Sequence, residues 1–315
     1  MRKNYLNNVA ASLIALCTCA VAQADYVYTP INVPGASATF AFDIDGTNIA
    51  GTYIDTGNVW GYTYDLVNNA FTLLGMPGAS KTRVHGIDGD TVVGDDGDGS
   101  SFIYNVSSDT YTSFNFPGAS GTNAWDVDGG NIVGYYTDSV DYRYHGFLYD
   151  SSAGTYASLN YPGADDTYVW GIGGDLVAGS IEVGGGGFEN GFVYDILNDT
   201  YTLFNVPGSV STRVTDIDGN KITGNYYDGS GDLQGFLYDG LNYTTLNVPS
   251  GFNTFPHGID GSSIVGSFTP VGGISQGFFV TVPEPATVSL LAMGLMSLLG
   301  SRGPRNSKKT LNGNQ

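Results

Sequence analysis

The sequence predicts an all-β fold, a six-bladed β-propeller with four antiparallel strands per blade. Three observations carry this. A unit of about 40 to 45 residues recurs six times, each copy holds four short strand-like segments, and a spare fourth-strand sequence precedes the first copy while the last copy lacks one.

The period is set by a proline that opens each copy: Pro34, Pro77, Pro117, Pro162, Pro207 and Pro249, spaced 43, 40, 45, 45 and 42 residues apart. Five residues after each proline stands a threonine: Thr39, Thr82, Thr122, Thr167, Thr212 and Thr254. Twelve after it stands a glycine (Gly46, Gly89, Gly129, Gly174, Gly219, Gly261), and seventeen after it a second (Gly51, Gly94, Gly134, Gly179, Gly224, Gly266). No insertion interrupts this block in any copy, so it forms the rigid part of the unit.

The block reads as two strands around a tight turn. Ile44-Asp45-Gly46-Thr47-Asn48-Ile49 is typical: β-branched flanks enclose an Asp-Gly pair, and the glycine supplies the positive φ that a two-residue hairpin needs. The third strand begins at Gly61-Tyr62, Ser101-Phe102, Gly146-Phe147, Gly191-Phe192, Gly235-Phe236 and Gly277-Phe278. From the second glycine to that marker the distance varies from 7 to 12 residues, so length variation concentrates in the loop between strands two and three, on one face. The fourth strand is the run before the next proline, as in Tyr201 to Val206.

Closure follows from the ends. Tyr26 to Val33 reads as a fourth strand without a blade of its own, and the sixth copy stops after its third strand, Gly277 to Val282. The first strand is therefore expected to complete the last blade, leaving no open edge.

The flanks address the protein. Arg2 and Lys3, a largely apolar Val9 to Ala22, and Ala22-Gln23-Ala24 form a secretory signal over residues 1–24, which implies the Sec translocon and signal peptidase as partners. Both cysteines, Cys17 and Cys19, fall inside it, so the mature chain holds neither disulfide nor thiolate site. At the other end, Val282-Pro283-Glu284-Pro285-Ala286 precedes an apolar run to Gly300 and a basic stretch with Arg302, Arg305, Lys308 and Lys309. The run is short for a span but near its lower limit, and the basic residues would hold the C-terminus on the cytoplasmic side.

Residues 283–315, with Pro283, Glu284 and Pro285 as the motif, resemble the PEP-CTERM sorting signal of Gram-negative bacteria. That resemblance implies an exosortase as partner, a precursor anchored in the inner membrane, delivery to the cell surface or beyond, and an association with exopolysaccharide. The basic residues are spread more widely here than the compact arginine run of many members, and an ordinary C-terminal anchor is the alternative. The repeats themselves, through Val33-Pro34-Gly35-Ala36, Ile132-Val133-Gly134-Tyr135 and His145-Gly146-Phe147, resemble a bacterial extracellular repeat family of the form VPGA…IVG…GF, which carries no settled activity to transfer.

Charge narrows the function. All 30 acidic residues lie between Asp25 and Glu284, against five Lys and Arg in the same region, a formal charge of −25 that repels nucleic acid and anionic lipid. No nucleic-acid partner is expected. With 47 Gly, 22 Tyr and 13% charged residues, the middle of the chain is turn-rich and β-rich.

Catalytic constellations are not legible. His85, His145 and His257 lack ligand spacing, and His85 and His257 share the position eight after the proline with Phe42, Trp125, Trp170 and Thr215, a pattern of packing rather than metal binding. Calcium is the one cofactor to weigh: Asp96 and Asp98, and Asp228 and Asp232, place carboxylates at alternating positions in loops, without a bidentate Glu. Acidic surface turns are the competing account. The repeated Asp-x-Asp-Gly at Asp43, Asp126 and Asp216 is read as turn chemistry.

The position six after each proline varies most tellingly: Phe40, Arg83, Asn123, Tyr168, Arg213 and Phe255. Placed beside the variable loops, Arg83, Asn123, Tyr168 and Arg213 with Trp125 and Trp170 are the candidate ligand site, an aromatic and basic pocket inside an acidic rim, suited to sugar rings. The expectation is a non-catalytic binding or structural module whose partner is extracellular polysaccharide or a surface protein. The alternative is a propeller lyase or glycosidase acting on matrix glycans, which needs paired carboxylates near the axis.

Overall fold

The computed structural model describes residues 26–249 and 251–282. The segments read as a secretory signal and as a PEP-CTERM motif with its apolar run and basic tail lie outside the described residues, and no helix long and apolar enough to cross a membrane occurs among those described. What is described is a six-bladed propeller of six four-stranded antiparallel sheets, each in the strand order first-second-third-fourth from axis to rim. The first strands are Ala38–Asp45, Arg83–Asp88, Ala119–Asp128, Asp166–Gly173, Ser211–Asp218 and Gly251–Asp260. As expected, Tyr28–Ile31 forms the outer strand of the last blade, pairing Tyr28 with Val280 and Ile31 with Gly277.

Each blade is held by the same few residues. One aromatic ring at the start of the third strand is buried in every blade: Tyr62, Phe102, Phe147, Phe192, Phe236 and Phe278. These rings anchor the hydrophobic clusters between neighbouring sheets, each worth a few kcal/mol of burial. The threonine five after the proline ties the chain back on itself, its Oγ1 accepting the backbone N–H of the residue before the proline at 2.8–3.1 Å in all six copies. That bond fixes the crossing from one blade to the next.

The two glycines do different jobs. Gly46 and its five equivalents adopt φ of +53° to +60°, the left-handed backbone of a tight hairpin. Gly51 and its equivalents are needed for space: a Cβ at Gly94 would lie 1.8 Å from the Arg83 carbonyl oxygen, and at Gly51 2.1 Å from that of Phe40. The close approach arises because the first two strands slip register at one residue in every blade, between Ala41 and Asp43, Val84 and Gly86, Ala124 and Asp126, Val169 and Gly171, Val214 and Asp216, and Pro256 and Gly258. The bulged residue is always the one eight after the proline.

A further pattern organises the axis. The position nine after the proline alternates strictly: Asp43, Gly86, Asp126, Gly171, Asp216, Gly258. Each aspartate uses one carboxylate oxygen for the next backbone N–H of its own strand and the other for an N–H of the following blade, all at 2.7 Å: Asp43 to Ile44 and Ile87, Asp126 to Val127 and Ile172, Asp216 to Ile217 and Ile259. At the three remaining junctions the glycine lets the backbones meet; a Cβ at Gly86 or Gly258 would lie 2.7 Å from the Cα of Asp126 or Asp43. The propeller is thus three stapled blade pairs joined by three close-packed junctions. This corrects the reading of Asp-x-Asp-Gly as turn chemistry alone. The glycine serves the turn, but the aspartates reach across: Asp45 accepts from Gly89, Asp88 from Gly129, Asp128 from Gly174, Asp218 from Gly261 and Asp260 from Gly46, at 2.6–2.8 Å.

Candidate functional site

A bulge on an inner strand turns its side chain toward whatever that strand faces, and here it faces the axis. Phe42, His85, Trp125, Trp170, Thr215 and His257 therefore converge on a cavity of about 60 Å³ at the end of the axis that carries the variable loops, joined there by Arg213, Asn225, Phe255 and, at its base, Asp43 and Asp126. The rings pack on one another. His85 stacks on Trp125 at 4.1 Å, Trp125 meets Trp170 edge to face at 4.6 Å, Phe42 contacts His85, Trp125 and His257, and Phe255 stacks on His257. The volume admits a single substituent or ring edge rather than a whole oligosaccharide, since one water needs about 10–15 Å³ of such space.

The three arginines around the pocket are paired. Arg83 donates to Asp95 at 2.7 Å, and Arg143 contacts Asp166 at 3.2 Å. Arg213 holds Glu189 through both Nε, at 2.8 Å, and Nη2, and lays its guanidinium over the Trp170 ring at 5.0 Å. Burial opposes the charge on Arg213, but the Glu189 carboxylate outweighs it and keeps the guanidinium firmly ionised. Burial pushes both axial histidines down, His257 to about 3, so both are neutral at physiological pH. The His85 Nδ1 lies 2.9 Å from the Ala124 carbonyl oxygen, to which it donates in the neutral ring.

Below the pocket, Asp43, Asp126 and Asp216 lie buried close to the axis. Burial pushes Asp43 up to about 6 against the lowering effect of its backbone donors, and burial together with the neighbouring carboxylates raises Asp126 and Asp216 well above the usual range. They open on the opposite face into an acidic funnel of about 160 Å³ that also holds Asp45, Asp88, Asp128, Asp218 and Asp260.

Of the residues singled out from sequence, Trp125, Trp170 and Arg213 line the pocket. Arg83, Asn123 and Tyr168 stand around it: Arg83 is occupied by Asp95, Tyr168 stacks on Trp170 at 5.5 Å, and Asn123 pairs with Tyr135 across the strands. The position eight after the proline, rather than position six, supplies most of the wall. The loop carboxylates weighed for calcium serve their own turns. Asp96 accepts from the N–H of Asp98 and Ser100, Asp98 from Ser80, and Asp228 from the N–H of Ser230 and Asp232. Among the described residues no group of three or more acidic, His or Cys side chains is arranged to hold a metal ion.

Sequence reasoning passed over the position eighteen after the proline: Thr52, Asp95, Tyr135, Ser180, Asn225 and Ser267. It follows the space-making glycine and faces the bulge. Ser180 accepts the Trp170 indole N–H at 2.9 Å, Ser267 bonds His257 at 3.0 Å, Asp95 holds Arg83, and Thr52 bonds both backbone groups of Val84. A polar residue recurring inside an otherwise apolar strand is the signal that would have found it.

No protein-family model matches the chain, and no curated protein matches it. Solved structures do. A protein assigned as TolB in Agrobacterium tumefaciens aligns over 82% of this chain and 91% of its own at 14% identity with a TM-score of 0.52. The β-propeller domain of the trilobed protease of Pyrococcus furiosus aligns over 78% and 81% at 12% identity and TM-score 0.48, and virginiamycin B lyase of Staphylococcus aureus over 82% and 100% at 12% and 0.47. The first of these similarities shows the fold alone.

Proposed function

We propose that the protein is exported, sorted to the cell surface or matrix through its PEP-CTERM signal, and acts there as a non-catalytic module that binds extracellular polysaccharide in the axial pocket. The observation that carries this is the wall of bulge-directed rings around a small cavity whose neighbouring arginines are each held by a carboxylate. Aromatic faces suit the apolar faces of sugar rings, and a few polar groups fix orientation. The roles already held by the nearby acids support binding over catalysis. Asp43 and Asp126 each accept two backbone N–H groups, and Asp95 and Glu189 hold arginines, so each already has a structural role.

Glycan-array binding by the purified protein, without release of reducing ends from the bound polysaccharide, is the expected result. Reducing-end release abolished by replacing a single axial aspartate would instead establish the lyase or glycosidase reading. For sorting, replacing Glu284 with alanine in an exosortase-bearing host is expected to leave the protein in the inner membrane. Unchanged surface delivery would remove that part of the proposal.

A further inference from the structure

Asn225 differs from Thr52, Asp95, Ser180 and Ser267, whose side chains all make hydrogen bonds. It is 7% exposed, it lines the axial pocket, and among the described residues its side-chain amide makes no hydrogen bond. The reason is local. In blades four and six the residue eighteen after the proline satisfies the bulged residue of its own blade, as Ser180 does for Trp170 and Ser267 for His257. In blade five the bulged residue is Thr215, whose hydroxyl donates to the Pro256 carbonyl oxygen of the next blade at 3.0 Å instead. Asn225 is left with a donor and an acceptor at the pocket. An amide that lines the pocket with no protein partner offers its donor and acceptor to a ligand, and covering it without a partner would be costly.

Three observations narrow that ligand. The arginine nearest Asn225, its cross-strand partner Arg213, is committed to Glu189, so it offers no anchor for a carboxylate. The surroundings are acidic, with Glu182 raised by burial and then by Glu189 and Asp166, which disfavours uronates and sulfated sugars. A cationic amine is disfavoured as well, because the Arg213 guanidinium already covers the Trp170 face. The ligand is neutral. It must also present a donor and an acceptor together with an apolar tip, for the amide of Asn225 on one side and Phe42, Trp125 and Phe255 on the other.

We infer that the pocket takes the acetamido group of a neutral N-acetylated amino sugar, and that Asn225 is the residue that reads it. The acetamido C=O and N–H match the Asn225 amide, and the methyl group enters the ring-lined cavity. This rests on the glycan-binding reading above and narrows it to one sugar class.

The test is an NMR titration of the purified protein with the methyl glycosides of N-acetylglucosamine, N-acetylgalactosamine, glucose, glucosamine and glucuronic acid. An acetylated glycoside is expected to bind at least about tenfold more tightly than the other three, the loss that follows when a buried polar group stays unpaired. Asn225→Ala is expected to abolish that preference while leaving weak binding to the rings. Equal affinity for glucose, tighter binding of glucosamine, or a preference that survives Asn225→Ala overturns this inference and leaves the glycan reading standing. Absence of binding to all five overturns both. The comparison among wild-type ligands does not depend on how the variant folds.

Discussion

Replacing Gly171 with alanine tests the alternation of Asp and Gly around the axis. A Cβ there would lie 2.5 Å from the Asp216 Oδ1, 2.7 Å from the Asp216 Cα and 2.8 Å from the Thr215 carbonyl oxygen, all in the next blade. Two of these atoms are backbone. The third cannot swing away, because the Asp216 carboxylate is tied at 2.7 Å to the N–H groups of Ile217 and Ile259. Blades four and five must therefore separate or the staple to blade six must break. Overpacking of this kind costs about 1–3 kcal/mol, and loss of a buried acceptor adds about 1–3 kcal/mol. Taking about 3 kcal/mol, a domain of this size should melt roughly 6–12 °C lower. Thermal unfolding followed by circular dichroism measures it, with Gly229→Ala as control, since that Cβ meets nothing within 4 Å. A Gly171→Ala protein that melts within a degree or two of wild type would refute the close-packed junction.

Other outcomes follow from the same geometry. Deleting residues 26–33 removes the outer strand of the last blade with the buried Ile31 and Val33, and is expected to lower the melting temperature or produce oligomers through the exposed edge of Gln276–Thr281; an unchanged monomer would contradict closure. The axial carboxyls give a pH dependence. Asp43 is raised from 3.8 to about 6, so its contribution is fully present below about pH 4 and is lost as pH rises through 6, on the order of 3 kcal/mol. The half-buried His257, lowered from 6.5 to about 3, acts in the opposite sense, destabilising the fold as pH falls below 6.5. The stability advantage of wild type over Asp43→Asn reports Asp43 together with the two axial carboxyls it repels, and it should shrink from pH 4 to pH 7; a constant or growing advantage would contradict the assignment.

Much of the fold was legible because its requirements are local and recur. A proline, a threonine and two glycines at fixed spacing define a blade, and Tyr26 to Val33 could be recognised as the missing fourth strand from its similarity to the runs before each proline. The site was legible in composition but not in aim. Nothing in Phe42, His85, Trp125, Trp170, Thr215 and His257 marks them as bulged, since a bulge is a property of two strands in register and has no residue signature of its own. Position six therefore looked like the main wall, with only Trp125 and Trp170 of position eight added to it. The staples were hidden for a similar reason: Asp-Gly suits a hairpin so well that the second role of the aspartate, across the blade junction, leaves no trace in one copy. The alternation of Asp with Gly at position nine was readable, but only by comparing copies. Asn225 looked like an ordinary strand residue until the partner of each equivalent was known.

A binding site built from side chains thrown inward by six bulges is tested most directly by calorimetry. Affinity for a glycan that binds the wild-type protein is compared with that of the Trp125→Ala and Trp170→Ala variants. A loss of about tenfold or more is predicted in each variant, with the fold retained, as expected when a large ring leaves a buried contact. Undiminished affinity in both would place the ligand elsewhere on the propeller and contradict an axial site.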